Sequence, residues 1–191
     1  MAYNSAETRR RLLEAAIEEF SAHGIAGARV ETIARRARAN KQAIYQYFGS
    51  KERLFLAAFE DRMLALQQTI HFDESDLAEY AGRVFDAYAD SPQTWRITFW
   101  AQLERGLNHL HIPALDAASQ EHAARILQAQ QVGRITRRYT PETILALSRS
   151  LALTWQVHPA ERDAITAQER GKRREVVVAS MRALLDDDAH D

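Results

Sequence analysis

Apolar residues recur along this chain at helical intervals almost from end to end. Leu12, Leu13, Ala16, Ile17 and Phe20 form one stripe, the spacing of an amphipathic helix, and predict a first helix from about Ala6 to His23. Gly24 ends it, because glycine adopts the left-handed conformation of a helix C-cap without steric cost, and Ile25 can fold back apolarly. Val30, Ile33, Ala34 and Ala37 repeat the period in a short second helix. After the tight connection Arg38-Ala39-Asn40 a third helix starts, with Asn40 as its N-cap. Gly49-Ser50 interrupts the pattern again, and Ser50 caps a long fourth helix from Lys51 to about Ile70.

The later boundaries follow the same chemistry. Asp73 or Ser75 opens a fifth helix, and Ser91-Pro92 opens a sixth with proline at the first helical position. Pro113 resumes a helix after Asn108-His109-Leu110-His111. Thr140-Pro141-Glu142 sets a capping hydroxyl, an N1 proline and a first-turn acid in sequence. A last helix spans about Gln168 to Leu185, and no repeat or low-complexity linker appears. The prediction is an all-α chain of about nine helices. Residues 1–60 form an N-terminal three-helix helix-turn-helix domain, and residues 61–191 a larger helical domain.

Composition changes this picture little. The chain is 46% hydrophobic and 27% charged, with seven Gly and four Pro, which is globular and favours helix. Cysteine is absent, which excludes disulfides and thiolate metal sites. No apolar run approaches the roughly 18 residues that span a bilayer, and the N-terminus lacks the hydrophobic stretch of a signal peptide. A cytoplasmic protein with no membrane partner is expected.

Charge is more informative once divided. Residues 1–60 carry ten basic groups against seven acids, net +3, and the remaining fifteen basic and nineteen acidic groups leave −4 there. That asymmetry suits a nucleic-acid surface at the N-terminus, although solvated helix faces show similar imbalances.

The third helix sharpens the suggestion. Ile44 and Phe48 lie four apart, and each is about 200° around the helix from Gln42 or Gln46. With Ile44 and Phe48 anchored inward against Val30, Ile33 and Phe20, the outward residues are Lys41, Gln42, Tyr45 and Gln46. This set holds several donors, one cation and no acid. Glutamine amides match adenine edges in the major groove, while Lys41, Tyr45 and Tyr47 can reach phosphates. An ordinary solvated helix, with the tyrosines packed, has the same pattern.

The string itself separates these readings. Val30-Glu31-Thr32-Ile33-Ala34-Arg35-Arg36-Ala37, then Lys41-Gln42-Ala43-Ile44-Tyr45-Gln46-Tyr47-Phe48-Gly49-Ser50-Lys51-Glu52, resembles the N-terminal domain of the TetR family. The Ile-Ala-x-x-Ala of the second helix, the Tyr-x-Tyr-Phe end of the third and the Ser-Lys-Glu start of the fourth carry the resemblance over residues 6–60. It implies a homodimer on double-stranded operator DNA, with phosphate contacts from Tyr45, Tyr47 and Lys51. A helix N-terminus at Lys51 favours anions independently. With Asn40, Lys41, Gln42 and Gln46 these residues form the expected DNA-binding set. Two positions depart from the family's pattern. Arg38 stands where the turn usually has glycine, and Gln42-Ala43 replaces a frequent Gly-Thr, removing one hydroxyl contact and offering a longer amide for a base.

The remainder of the chain suggests dimerisation and sensing. Ile144, Leu145, Leu147, Leu151, Leu153, Trp155 and Val157 make the 141–157 helix apolar around most of its circumference, which requires burial on more than one side. A partner subunit can supply the second side. Val176, Val177, Met181, Leu184 and Leu185 on the last helix lie ready beside it, and the resemblance implies a four-helix dimer bundle from these two segments. Burial of both helices within one subunit also satisfies the pattern. The 92–107 helix carries Trp95, Phe99, Trp100, Leu103 and Leu107, with Met63, Leu66, Ile70, Phe85, Tyr88 and Leu110 as candidate surroundings. Aromatics at this spacing are commonly core, but the resemblance implies a small-molecule effector, and Trp95, Phe99, Trp100 and Leu103 are its candidate contacts.

The histidines offer less. His109 and His111, even with His122, form a poor ligand set beside a single nearby Asp116, and His158-Pro159 suits a helix terminus. No metal and no cofactor are expected. With no Gly-rich phosphate loop, paired-carboxylate motif or activated nucleophile, an enzyme is not expected either. Two functions remain: a repressor that an effector releases from a palindromic operator, and a constitutive dimeric DNA-binding protein without a ligand.

Overall fold

The computed structural model describes residues 2–105, 112–157 and 166–186. Among the described residues there are nine helices and no strand. They are α1 (Ala2–Gly27), α2 (Val30–Arg36), α3 (Lys41–Phe48), α4 (Lys51–Thr69), α5 (Leu77–Asp90), α6 (Pro92–Arg105), α7 (Pro113–Gln131), α8 (Pro141–Val157) and α9 (Ala167–Leu185). Leu107, Asn108, His109, Leu110, His111 and His158-Pro159 lie outside the described residues.

Most boundaries sit where short-range chemistry puts them. The Asn40 side chain accepts from the Ala43 amide at 2.7 Å, and Ser50 Oγ from the Arg53 amide at 3.1 Å. Thr140 Oγ1 accepts from Thr143 at 3.2 Å. Two starts differ from expectation: α1 begins at Ala2 rather than about Ala6, and α5 begins later than Asp73 or Ser75. The Asp73 carboxylate is occupied by the amide and hydroxyl of Ser75 at 2.9 and 2.7 Å, so a local turn forms there. Asp76 then caps α5 through the Glu79 amide at 3.0 Å. A capping box that the sequence reading passed over opens α9, pairing Thr166 and Glu169 reciprocally.

Two compact units result, one from residues 1–66 with 92–112 and the other from 67–91 with 113–191. The first joins α6 to the three N-terminal helices and most of α4. Its core is Leu12, Ile17, Phe20, Ile33, Ile44, Leu54, Phe55 and Ile97, all essentially inaccessible. Phe20 meets Phe55 edge-on at 5.2 Å between ring centres. α1 bends at Gly24, where φ is 68° and ψ −174°. α6 closes on that bend with three residues spaced four apart. Arg96 Nε donates to the Ser21 carbonyl at 2.7 Å, and both Glu104 oxygens accept from the Ile25 amide at 3.0 Å. Between them the Trp100 ring lies where a β-carbon on Gly24 would come within 2.8 and 2.9 Å of it.

In the second unit α5 is the central element, packed on α8 and α9. Its Leu77, Tyr80, Ala81, Val84, Phe85 and Tyr88 are all buried. Gly82 permits the close approach of α9, since a β-carbon there would meet Val178 at 2.8 Å. Arg174 bonds Asp86 at 2.7 Å and Glu79 at 2.8 Å, and Arg170 pairs with Asp90 and Asp86. Hydrogen bonds from these arginines hold the carboxyls of Glu79 and Asp90 below their ordinary range. Their contribution is therefore present above the usual carboxylate pKa and lost as the pH falls through the lowered values. Because these five side chains are 30–65% exposed, solvent keeps that contribution modest.

Gly24→Ala combines a left-handed β-carbon with a collision against Trp100 and Glu104. It is expected to lower stability by about 2 kcal/mol or more, read as a fall of at least about 4 °C in the melting temperature. An unchanged melting curve would show that the bend tolerates another geometry.

Candidate nucleic-acid interface

α3 is positioned from beneath. Ile44 is inaccessible and Phe48 buried, fastening α3 to the core that includes Phe20 and Ile33. Lys41, Gln42, Tyr45 and Gln46 are exposed, and Tyr47 is half-buried. The outward set read from helical geometry is thus on one exposed face. Among the described residues the amides of Gln42 and Gln46 have no hydrogen-bond partner, which leaves their donors and acceptors available.

The other expected residues are engaged. The Lys41 ammonium bonds Glu31 at 2.6 Å. That hydrogen bond holds the Glu31 carboxyl below, and the Lys41 amine above, their ordinary ranges. The Tyr47 hydroxyl donates to Ser5 Oγ at 3.0 Å, tying α3 to the start of α1. Lys51 Nζ donates to the Ala26 carbonyl at 3.3 Å. Asn40 spends its side-chain oxygen on the cap. Each of these exposed bonds must open or share if the same groups are to meet phosphate.

The angle between α1 and α2 depends on a residue that the sequence reading missed. Glu19 is buried, accepts the Arg29 amide at 3.1 Å and meets Arg36 at 3.3 Å. Arg29 precedes α2 and has no side-chain cap of its own, so Glu19 satisfies that amide from α1. A signal was present, because Glu19 falls on the Leu12–Ala16 apolar stripe at helical spacing.

The turn also departs from the commonest chemistry. α2 ends with the Ala39 amide bonded to Ala34 O at 2.9 Å and the Arg38 amide to Arg35 O at 3.2 Å, a Schellman arrangement. Arg38 occupies its left-handed position with φ 51°, and no other non-glycine residue among those described has a positive φ. A β-carbon there costs about 1–2 kcal/mol.

The candidate effector residues separate. Trp95 and Phe99 touch edge-on at 5.7 Å and are half-buried. Trp100 faces the α1 bend, and Leu103 is 73% exposed. Phe85 and Tyr88 are buried on α5, in the second unit. His122 stacks on Phe72 at 3.8 Å, and partial burial lowers its pKa. Among the described residues no group of three His, Cys, Asp or Glu is placed to hold a metal ion. None of their helices is long and apolar enough to cross a membrane.

Two helices joined by a tight turn, the second held by its apolar face and showing amides and a cation outward, form a helix-turn-helix, an arrangement that suits DNA binding. Residues 12–58 match the profile of bacterial regulatory proteins of the tetR family, and residues 76–182 that of the tetracyclin repressor-like C-terminal domain. The chain is 40% identical to the HTH-type transcriptional repressor SCO4008 of Streptomyces coelicolor over 154 residues, 78% of each protein. It is 34% identical over 121 residues to the HTH-type transcriptional repressor NicS of Pseudomonas putida, covering 60% of this chain and 57% of NicS. A crystal structure of SCO4942 from S. coelicolor, assigned as a transcriptional regulator, superposes with a TM-score of 0.80 at 34% identity, covering 93% of this chain and 98% of that one. The protein belongs to the TetR family of transcriptional regulators.

Glu31→Gln removes an acid beside the exposed face of α3 and releases Lys41. Affinity for duplex DNA of any sequence is expected to rise about three- to tenfold at low salt, measured by fluorescence anisotropy. Unchanged affinity would place Glu31 and Lys41 away from the DNA.

Proposed function

We propose that this protein is a repressor that binds a palindromic operator as a homodimer in the cytoplasm and is released by a small-molecule effector. The observation that carries the reading is the exposed α3 face with the unengaged amides of Gln42 and Gln46. Gln42 and Gln46 read base edges, Lys41 and Tyr45 flank them, and Tyr47 and Lys51 contact phosphate after exchanging Ser5 and Ala26 for it. Asn40 orients the first turn of α3. SCO4008 and NicS are both HTH-type transcriptional repressors, and repression is proposed here by likeness.

Dimerisation is assigned to α8 and α9. Leu147, Leu151, Leu153 and Trp155 keep partly accessible surface, and Val176 is 51% exposed. Met181, expected at this interface, is inaccessible and lies 3.7 Å from Ser148 Oγ, between α8 and α9 of one chain. A charge at position 181 therefore tests folding, and Val176 is the sharper probe. Val176→Glu should leave the protomer folded and convert the dimer to monomer in analytical ultracentrifugation. A dimer that persists would put the interface elsewhere.

The effector is assigned to the side of α6 that carries Trp95 and Phe99, because α6 shares a compact unit with the helix-turn-helix. Dimeric binding predicts a footprint with half-site centres about 34–36 Å apart, or a multiple of that. Protection of a single half-site would remove the palindrome. Gln42→Ala should cost about 1–3 kcal/mol at one base pair per half-site and little on non-specific DNA. An equal loss on every sequence would make Gln42 a backbone contact.

A further inference from the structure

We infer that Arg38, at the tip of the turn between α2 and α3, is a phosphate-binding residue of the DNA interface. The inference rests on the DNA-binding reading of α3 and adds a contact that the family's usual glycine cannot make.

Three observations converge on it. The first is conformational: Arg38 holds φ at 51°, in the left-handed region where a β-carbon is strained and glycine is not. A strained backbone at an exposed turn points to a use for the side chain that carries the strain. The second is electrostatic. Of the neighbouring cations, Arg36 is held by Glu19 and Glu18 and Lys41 by Glu31, while Arg35 is exposed as Arg38 is but lies within α2 rather than in the turn. Arg38 is exposed, and among the described residues its guanidinium has no acid and no hydrogen-bond partner. The third is positional. Arg38 precedes the α3 cap Asn40 by two residues, at the end of the helix that carries Gln42, Tyr45 and Gln46 outward. A helix that enters a groove by its first turns brings the preceding turn against the sugar-phosphate backbone, and a guanidinium pairs with phosphate oxygens through two parallel N–H donors.

A competing role is local. A cation just past a helix C-terminus can instead bond the last carbonyls and stabilise α2. The two roles predict opposite changes in stability.

The experiment compares Arg38→Gly, Arg38→Ala and Arg38→Lys in the full-length protein, binding a random-sequence duplex and a selected operator across a salt series. Both Arg38→Gly and Arg38→Ala are expected to lose about fivefold in affinity per half-site at physiological salt, equally on both duplexes. The slope of log affinity against log salt should fall in magnitude by about 0.9 per half-site. Arg38→Lys should keep the slope. Arg38→Gly alone should raise the melting temperature, by about 2–4 °C. A slope unchanged in both neutral variants overturns the inference while leaving the α3 reading intact. A fall in melting temperature for Arg38→Gly with an unchanged slope assigns Arg38 to the end of α2 and overturns it too. A wild-type protein that binds neither duplex overturns the DNA-binding reading, and this inference with it.

Discussion

The bend at Gly24 is the constraint on which the N-terminal unit depends. A helix that stops exposes carbonyls, and a chain that turns exposes amides. α6 answers both with residues eight apart: Arg96 takes the carbonyl of Ser21, and Glu104 takes the amide of Ile25. Trp100 fills the space that only a glycine leaves between them. Opposite charges are thereby matched to opposite backbone polarity over two turns of one helix. The same helix carries Trp95 and Phe99, so a displacement of α6 is felt directly at the end of α1.

From the end of α1 the geometry passes to α2 through a buried carboxylate. Glu19 accepts the Arg29 amide and pairs with Arg36, fixing where α2 begins. α3 is then held by Ile44 and Phe48 and capped by Asn40. The exposed donors of this surface are largely occupied: Lys41 by Glu31, Tyr47 by Ser5 and Lys51 by Ala26. Exchanging solvent-exposed pairs of this kind for phosphate changes the direct interaction energy little. On the proposed reading, affinity comes mainly from released counterions, and discrimination from the amides of Gln42 and Gln46.

The second unit is organised differently. α5 is buried along most of its length, and its remaining acidic edge is met by Arg170 and Arg174 of α9. Gly82 lets the two helices approach closely enough for those pairs to form beside Val178. α8 turns Ile144, Leu145, Ser148 and Ala152 inward, which uses one side of a helix that is apolar on several. Leu147, Leu151 and Leu153 keep accessible surface after the chain has folded.

What the sequence by itself determined is the set of features decided within three or four residues. Asn40, Ser50 and Thr140 cap their helices, Pro92 and Pro141 open theirs, and Gly24 ends the first helical run, because caps and turns are local hydrogen bonding. Helical periodicity likewise separated the buried Ile44 and Phe48 from the exposed Gln42 and Gln46. The tertiary structure alone decided which acid meets which backbone. Glu104 lies 79 residues from Ile25, and Arg170 lies 80 from Asp90, distances over which spacing carries no information. It also decided that Trp100 supports the α1 bend and that Met181 is buried beside Ser148 within the chain's own core. An apolar side chain records that it must be buried; only the packed neighbours determine against what.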